Sequence, residues 1–398
     1  MSLSATATGL LQRALDMFDI QPHNMPAVQV SINGKDRTED VCARFISLSL
    51  TDLSGFEADT LTLTLDDADG ALTLPETGHK IRLSIGWVGS GVVDKGEYTI
   101  DDIEHSSVPD IVTLTARSAE FCGELTKRRE RSFHATTLGK IVETIAKTHG
   151  WTLYIEPSLA QIPIDHIDQQ GESDANLLTR LAQEHDATAT VKDRNLIVLP
   201  KGVAKTASGA DIPPIVITRA VGDGHHFRTT RAEQYTGVVA NWHDSKTGKR
   251  KRKTVKRKKT TPATSTASNT GKRTATGTTE AAATSGKNDA GTRQITVGDT
   301  ENIYTLPHTY ASEKAALNAA KAKWAQLQRA AASLSLTLAY GRADLLPLQP
   351  LQAVGFKAEI DANNWYIKQC THTIDASGYR TGVECESAAV SKDNFEVT

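Results

Sequence analysis

The chain has 398 residues, 39% of them hydrophobic, and a formal net charge of −2. This length is too great for one compact core and predicts two to four domains, while the ordinary apolar content excludes a wholly disordered protein. Ten Lys or Arg residues and no acid fall within 246–259, and subtracting these ten charges from the total of −2 leaves −12 for the remaining chain. The protein is therefore an acidic body that carries one concentrated basic segment.

Membrane and secretory classes are not indicated by the sequence. No segment approaches the roughly 18 apolar residues needed to span a bilayer, and no basic region precedes an apolar stretch at the N-terminus. The four cysteines are dispersed and form no CxxC pair, which favours reduced thiols. We therefore expect synthesis and residence in the cytoplasm, without membrane insertion. The cysteines are Cys42, Cys122, Cys370 and Cys385.

Alternating apolar and polar residues predict at least five strands in the first 125 residues. The clearest case is 59–67, where three leucines alternate with threonines. Five short strands with polar outer faces are typical of a small antiparallel barrel or sandwich. The predicted strands are 45–53, 59–67, 80–88, 97–106 and 110–120.

The hydrophobic period changes to that of a helix in the middle of the chain. Apolar residues recur at helical spacing over 137–150, and a second helix is predicted from Ser173 to His185. Short strands follow at 187–191 and 195–200. These elements predict a small α/β insert domain over 126–205.

Strands resume beyond the insert. The first is predicted at 233–244, and a helix is predicted over 312–331 with an apolar face that includes Trp324. Four or five short alternating strands follow and repeat the style of the N-terminal part. They are predicted at 333–340, 351–356, 364–375 and 379–387.

A basic, low-complexity segment lies between the predicted strand that ends at residue 244 and the part of the chain that resumes at residue 295. It is rich in Thr, Ser, Ala and Gly and poor in large apolar residues, so we predict a flexible loop over 245–294. Its basic residues could contact nucleic acid or an acidic protein surface, or could simply keep a solvated insertion soluble. No aromatic residue for stacking on bases occurs in 246–294. The candidate interaction residues are Lys249, Arg250, Lys251, Arg252, Lys253, Lys256, Arg257, Lys258 and Lys259.

Motifs for catalysis or metal binding are not found. HExxH, GxxxxGK[ST], GxSxG and GxGxxG are all absent. His225 and His226 are adjacent and would face opposite sides of a strand, which disfavours a shared metal. The acidic residues of 66–70 loosely resemble a calcium loop but lack the closing acid, so a solvated β-turn is the preferred interpretation. We expect no catalytic residues, cofactor or metal.

Two further charged groups have alternative interpretations. Asp101, Asp102 and Glu104 could act as paired carboxylates in glycoside cleavage, but on a strand they are better explained as the wet face of a sheet. The arginines of 128–131 could bind a carboxylate-rich neighbour or be exposed before the helix.

Several long stretches, in order, resemble one family. They are DLSGFEADTLTLTLDDADG (52–70), KGEYTIDDIEHSSVPDIVTLTARSAEF (95–121), RRERSFHATTLGKIV (128–142), IDQQGESDANLLTRLAQEHDA (167–187), TLPHTYASEKAALNAAKAKW (305–324) and NWYIKQCTHTIDASGYRTGVE (364–384). Through these stretches the chain resembles the late-control protein D family of contractile-tailed temperate phages and, more distantly, the hub half of VgrG spike proteins.

The resemblance implies a baseplate hub of a contractile injection system. The implied fold is α+β and mostly β, with two tail-tube-like antiparallel β-barrels, a small α/β insert and the flexible basic loop. The first barrel would comprise 1–125, and the second 206–244 and 295–398 with its helix. Three subunits would form a pseudo-sixfold ring that joins the sixfold tail tube to the threefold spike.

The resemblance also implies the partners and the location. The partners would be the spike protein, the tail tube protein, other baseplate proteins and the tape-measure protein, and the chain would be a homotrimer. DNA would pass through the central channel without specific binding, favoured by an acidic wall. The protein would be a structural part of the virion tail baseplate, assembled in the bacterial host cytoplasm. Alternatives are a tail-associated cell-wall hydrolase and a nucleic-acid-binding protein that uses the basic loop.

Overall fold

The structure is a computed structural model, and β-strands dominate it. It describes residues 25–118, 124–192, 194–206, 208–220, 222–229, 235, 237–244, 249–253, 255–257, 294–296, 303–310, 312–330, 332–387 and 395–397. Described strands are β1 Pro26–Ile32, β2 Lys35–Asp36, β3 Phe45–Leu53, β4 Thr60–Asp66, β5 Lys80–Trp87, β6 Gly91–Ser106, β7 Ile111–Ser118, β8 Arg128–Thr137, β9 Thr152–Ile155, β10 Pro163–Ser173, β11 Ala187–Lys192, β12 Asn195–Pro200, β13 Ile215–Thr218, β14 Gly222–Thr229, β15 Gly237–Asp244, β16 Lys249–Lys253, β17 Val255–Arg257, β18 Gln294–Thr296, β19 Ile303–Tyr310, β20 Ala332–Leu338, β21 Pro350–Val354, β22 Trp365–Asp375, β23 Gly378–Ser387 and β24 Phe395–Val397.

The helices are fewer than the strands. Described α-helices are α1 Thr38–Ala43, α2 Leu138–His149, α3 Pro157–Ala160, α4 Asp174–Glu184, α5 Glu313–Ala330 and α6 Ala358–Asp361. The predicted helices over 137–150, 173–185 and 312–331 are confirmed within one residue at each end. No helix in the described part of the chain is long and apolar enough to cross a membrane.

The chain divides into two compact units. Unit 1 comprises residues 1–232 and 328–389, and unit 2 comprises residues 233–327 and 390–398. Unit 1 holds a 13-stranded sheet, which we call the main sheet. Its strand order is β14-β20-β23-β22-β3-β4-β7-β6-β5-β1-β2, with β21 attached to β22 and β13 attached to β21.

The N-terminal and C-terminal strands meet inside the main sheet. β22 pairs with β3 in antiparallel register, with Leu50 opposite His372 and Leu48 opposite Ile374. Thus residues more than 300 positions apart in sequence are neighbours. The prediction of two separate barrels is not confirmed, because this pairing joins strands of both into one sheet and the described strands form no closed barrel. The mostly β, antiparallel character of the prediction is confirmed.

The alternating leucines of β4 explain the core of the main sheet. Leu61, Leu63 and Leu65 are buried, as the sequence predicted, and pack with apolar residues of β3, β5, β6 and β7. Ile374 and Tyr379 from the C-terminal strands belong to the same core. A second core lies further along the sheet, where β20, β22 and β23 pack with β21 and α6.

A glycine allows close contact between β5 and the segment that follows β20. Trp87 Nε1 donates a 2.7 Å hydrogen bond to the Gly341 carbonyl, and the Trp87 ring stacks on Tyr340 with centroids 3.9 Å apart. A Cβ at Gly341 would lie 2.5 Å from the ring of Tyr379. Only glycine therefore fits between these rings without a shift of the backbone or of Tyr379.

Residues 128–200, which we call the insert, have a core of their own. β8 pairs with β10, and β11, β12 and β9 form a three-stranded sheet. Helices α2 and α4 pack their apolar faces onto these strands, with Ile141, Ile145, Leu177 and Leu181 fully or almost fully buried. Thr137 caps the start of α2 by accepting a hydrogen bond from Lys140 N, and Gly150 ends the helix in the left-handed conformation.

Unit 2 packs one helix against a four-stranded sheet of order β16-β18-β15-β19. Its core contains Ala316, Ala320 and Trp324 of α5 against Val238 and Trp242 of β15. The predicted apolar face of α5 is therefore confirmed. The backbones of β16 and β17 pair with β15 and β24, respectively. Residues 258–293 of the predicted flexible loop lie outside the described residues, and its flexibility stays a prediction.

Candidate functional site

The contact between the insert and the main sheet contains buried charges and open clefts, and we call it the seam. The loop between β3 and β4 carries Phe56, which packs against the apolar core of the insert. The seam lies beside this loop and carries one group of buried charges and two clefts, and a second group of buried charges lies within the insert.

The first group of charges joins the insert to the main sheet. Asp52 and Asp59 are each only 4% exposed, at the two ends of the β3–β4 loop. Lys95 Nζ, from β6, lies 3.3 Å from Asp52 Oδ2 and 3.2 Å from the Leu345 carbonyl. Lys192, from β11 of the insert, pairs with Asp59 and lies 3.7 Å from Asp52 Oδ1.

Burial shifts the pKa of one member of this group. Desolvation raises the pKa of Asp59, although the charge of Lys192 and a hydrogen bond from Leu53 N oppose it. Two carboxylates and two ammonium groups balance each other, so both acids can be buried with their charges compensated. The group fixes the position of β11 against the β3–β4 loop.

The second group of charges lies within the insert and centres on Asp174, the first residue of α4, which has no exposed surface. Arg129 Nε lies 3.2 Å from its carboxylate, and Arg131 also pairs with it. His149 Nε2 lies 2.9 Å from Asp174 Oδ2, and Gln169 Nε2 donates to Oδ1 at 2.9 Å.

These partners decide the charge state of Asp174. Burial alone would raise the pKa of its carboxyl group. Hydrogen bonds from Gln169 and His149 and the charges of Arg131 and Arg129 outweigh burial, and the pKa lies below its usual value. Asp174 therefore stays ionised at neutral pH and holds the paired strands β8 and β10 against the start of α4 and the end of α2.

Two clefts open along the seam. One, of about 700 Å³, is lined by residues that include Phe56, Asp101 and Arg117 of the sheet side and Arg128 and Asn176 of the insert. The other, of about 410 Å³, is lined by residues that include Phe56, Asn176, Lys201, Arg329 and Tyr366. Among the described residues, neither cleft is lined by a His or Cys side chain, so neither presents a nucleophile with a histidine base.

Arg329 closes one side of the smaller cleft. Its side chain is 5% exposed and binds both carboxylate oxygens of Asp186, with Nη1 3.1 Å from Oδ2. Lys201 lies nearby, and burial lowers the pKa of its ammonium group, reinforced by the charge of Arg329. The wall of the cleft thus combines these charged side chains with apolar and aromatic ones, which include Phe56 and Tyr366.

Two sequence interpretations of acidic residues are confirmed. Asp69 binds Arg44 through both oxygens at 2.7 Å, and these hydrogen bonds lower its pKa to about 2. Asp67 accepts from Leu72 N at 2.9 Å, so 66–70 is a turn with its carboxylates engaged. On β6, Asp101 and Asp102 are exposed, and Asp101 pairs with Arg117 at 3.2 Å, as expected for the wet face of a sheet.

The expectation of exposed arginines before the helix does not hold for Arg129 and Arg131. Both side chains are partly buried and contact Asp174 within the insert, while binding to a carboxylate-rich neighbour stays a prediction. The sequence marked Asp174 only as an acid suited to a helix N-terminus. The residues flanking β8 gave no local signal that the strand pairs with β10 and directs these arginines inward.

The remaining sequence-predicted site residues are not assembled by the structure. His225 Nδ1 lies 2.9 Å from Arg219 Nη1. The described residues contain no group of three or more His, Cys, Asp or Glu side chains arranged for a metal ion. The side chains of the candidate interaction residues of 249–259 lie outside the described residues, so their contacts stay a prediction.

Comparison of the fold identifies the general class of protein. The chain is similar to the 43 kDa tail protein of prophage MuSo2 from Shewanella oneidensis, with a TM-score of 0.61 and 14% identity, covering 93% of this chain and 100% of that one. It is also similar to the tail protein from Neisseria meningitidis MC58, with a TM-score of 0.57 and 12% identity, covering 91% and 96% of the two chains. The fold is that of phage tail proteins.

Sequence comparison then gives the family. The model of the phage tail baseplate hub (GPD) family matches residues 52–378, so the chain belongs to this family. It is 43% identical to a probable baseplate hub protein of Escherichia phage 186, over 91% of this chain and 92% of that one. It is 40% identical to a probable baseplate hub protein of Escherichia phage P2, over 93% and 95% of the two chains.

Family membership confirms the resemblance found in the sequence. The protein is a baseplate hub protein of phage tails, and its place is the tail baseplate of the virion. The two relatives carry the name of a baseplate component rather than of an enzyme, which favours a structural role.

Proposed function

We propose that three copies of this chain form a ring that joins the sixfold tail tube to the threefold spike of a contractile tail and leaves a central channel. In this proposal the role is structural and not enzymatic. Its partners are the spike protein, the tail tube protein, other baseplate proteins and the tape-measure protein. Assembly takes place in the bacterial host cytoplasm.

The main sheet carries this proposal. Its main strand order ends at β14 and at β2, and the branch from β22 ends at β13, so the described strands leave three edges. Edge strands present free N–H and C=O groups, which pair readily with strands of another subunit. Sheets from several subunits joined in this way would complete the tail-tube-like barrels that a single chain does not close. The seam would hold the insert at a fixed position on each copy.

Charge supports the proposed channel. Outside 246–259 the chain has a net charge of −12, because ten of its 45 Lys and Arg residues lie in that segment. A negative channel wall repels phosphates and would let DNA pass without being held.

The mass of the purified protein in solution tests the proposal. One chain has a mass of 42.9 kDa, so a trimer has about three times that mass, ~129 kDa. Light scattering is measured on the chain alone and with the spike protein encoded beside it. We expect a threefold mass in one of these samples, with spike and hub in equal numbers in the complex. A stable monomer that ignores the spike would overturn the hub ring.

An activity assay separates the structural role from that of a hydrolase. Purified protein is incubated with peptidoglycan, and lysozyme serves as the positive control. We expect no release of soluble fragments, because Asp69 and Asp101, two of the acidic residues considered for chemistry, are engaged in ion pairs with Arg44 and Arg117. Release of fragments would favour the cell-wall hydrolase.

A further inference from the structure

Two histidines face each other on the outer surface of the insert. His134 of β8 and His166 of β10 are directly opposite in the antiparallel register. Their Nδ1 atoms are 3.0 Å apart, and the rings stack with centroids 4.4 Å apart. Both residues are exposed, and the side chain of His166 has 51% of its surface exposed. This pair takes no part in the seam or in the network of Asp174.

A carboxylate orients one of the two rings. His166 Nε2 lies 2.9 Å from Asp168 Oδ2, and Ser132 Oγ donates a 2.6 Å hydrogen bond to the other carboxylate oxygen. His166 therefore donates its Nε2 proton to Asp168. In a neutral imidazole the other nitrogen then carries a lone pair, and in His166 this is the Nδ1 that faces His134.

The contact of His166 with Asp168 is the one that metal-binding histidines commonly make with a carboxylate. Histidines that bind metals commonly donate their second N–H to a carboxylate, which fixes the tautomer and increases the basicity of the ligating nitrogen. Two nitrogen ligands at about 2.0–2.1 Å from one ion, separated by an angle of about 90° to 109°, lie about 2.9–3.4 Å apart. The separation of 3.0 Å between the two Nδ1 atoms falls in this range.

We propose that His134 and His166 bind one divalent transition-metal ion, of the class of Ni²⁺, Cu²⁺ or Zn²⁺, through their Nδ1 atoms. The ion takes the place of the proton between the two nitrogens, and His134 then carries its own proton on Nε2. Asp168 is a positioning residue that accepts from His166 and does not bind the ion. Because both rings are exposed, water fills the remaining coordination positions. Imidazole is a preferred ligand of these metals.

The proposed ion would link β8 to β10 at the outer face of this strand pair. The inner face of the same strand pair carries Arg129 and Arg131, which hold Asp174. An ion that binds only this register stabilises the folded insert, and the stabilisation grows with the logarithm of one plus the ratio of the free ion concentration to the dissociation constant.

Calorimetric titration of the full chain with NiCl₂ at pH 7.5 tests the site. We expect one ion per chain at a site that is weakened at least tenfold in His134→Phe and in His166→Gln. The phenylalanine keeps an aromatic ring for stacking and removes the nitrogens. Asp168→Asn should weaken binding about tenfold while keeping one ion per chain, as expected for the carboxylate partner of a ligating histidine. His226→Gln, a change at an exposed histidine on β14, is the matched control and should leave binding unchanged.

Thermal unfolding supplies a second readout that does not depend on counting ions. NiCl₂ should raise the melting temperature of the parent chain and of His226→Gln, and should not raise that of the double variant His134→Phe/His166→Gln. Melting without metal shows whether each variant is folded. If both single variants bind Ni²⁺ within threefold of the parent affinity, or if the double variant keeps the nickel-dependent rise, the site does not exist as proposed. This test is independent of trimer formation.

Discussion

His372 lies in the middle of the main sheet with none of its surface exposed. Its Nδ1 lies 3.0 Å from the Tyr379 hydroxyl and 3.1 Å from Thr381 Oγ1, while its Nε2 has no hydrogen-bond partner among the residues that the structure describes. Burial lowers the pKa of His372 to about 3, and the charge of Lys95 acts in the same direction, against the opposing charges of Asp52 and Asp344. A protonated imidazole is therefore excluded from this position at neutral pH.

Because His372 is buried in its neutral form, we expect the free energy of unfolding to fall as the pH is lowered. The folded pKa lies below the unfolded value of about 6.5, so the contribution to stability is complete above pH ~6.5 and is lost as the pH falls towards 3. One such histidine gives a slope of up to about 1.4 kcal/mol per pH unit in this window. Urea unfolding at pH 7, 6 and 5 should show this slope, and His372→Gln should reduce it.

A second buried histidine also contributes to the dependence of the free energy of unfolding on pH. Burial also lowers the pKa of His185, so a residual slope is expected in the His372→Gln variant. His79→Gln, a change at a partly exposed histidine, is the matched control and should keep the parent slope. An unchanged slope in His372→Gln would mean that His372 is not protonated on unfolding in this window.

At the scale of elements, the pairing of β3 with β22 is the decisive feature. It places Leu50 opposite His372, with Leu50 completely buried. The core around Leu50 contains residues from both ends of the chain, including Ile374 and Tyr379. The N-terminal and C-terminal strands of unit 1 should therefore unfold together and not as two independent barrels.

The variant Leu50→Ala tests this coupling. A cavity at this position should lower the free energy of unfolding by about 2–5 kcal/mol. Hydrogen exchange should show faster exchange in β22 and β23 as well as in β3 and β4. Glu104→Ala, on the exposed face of β6, is the control and should change stability by less than about 0.5 kcal/mol. Faster exchange confined to residues 45–118 would contradict the single cooperative sheet.

At the scale of the whole molecule, charge is strongly segregated. The nine basic candidates of 249–259 and Lys246 account for the difference between a net charge of −2 and one of −12. Binding to phosphates through such a segment depends steeply on salt, with a slope of about −0.9 in log K against log salt for each phosphate contacted. The acidic remainder of the chain opposes the same binding.

Replacing the nine candidates with Gln tests their contribution. We expect the parent chain to retain double-stranded DNA weakly at 50 mM salt and to release it at 200 mM. The nine-fold Gln variant should not retain DNA at either concentration, since the remaining body is acidic. Lys140→Gln/Lys147→Gln, on the surface of α2, is the control and should behave as the parent. Equal DNA retention by the parent and the nine-fold variant would remove these residues as an interaction site.

The sequence by itself determined those helices and strands in which apolar residues recur at a regular spacing. The helix over 137–150 and the strand over 59–67 were found because backbone geometry places every third or fourth residue, or every second one, on the same face. Family membership was also present in the sequence, in long stretches that keep their order. β8 and β10 were not predicted, because RRERSFHATT carries charged residues on the face that contacts Asp174 and so lacks an apolar alternation.

Only the tertiary structure decided which elements became neighbours. The pairing of β3 with β22, the contact of Lys192 with Asp59 and the meeting of His134 with His166 all join residues that are distant in sequence. A local pattern specifies which face of a strand is apolar, but many partners could cover that face. The choice among them depends on the total apolar burial and charge pairing of the folded chain, set against the entropy of closing the loops between the partners.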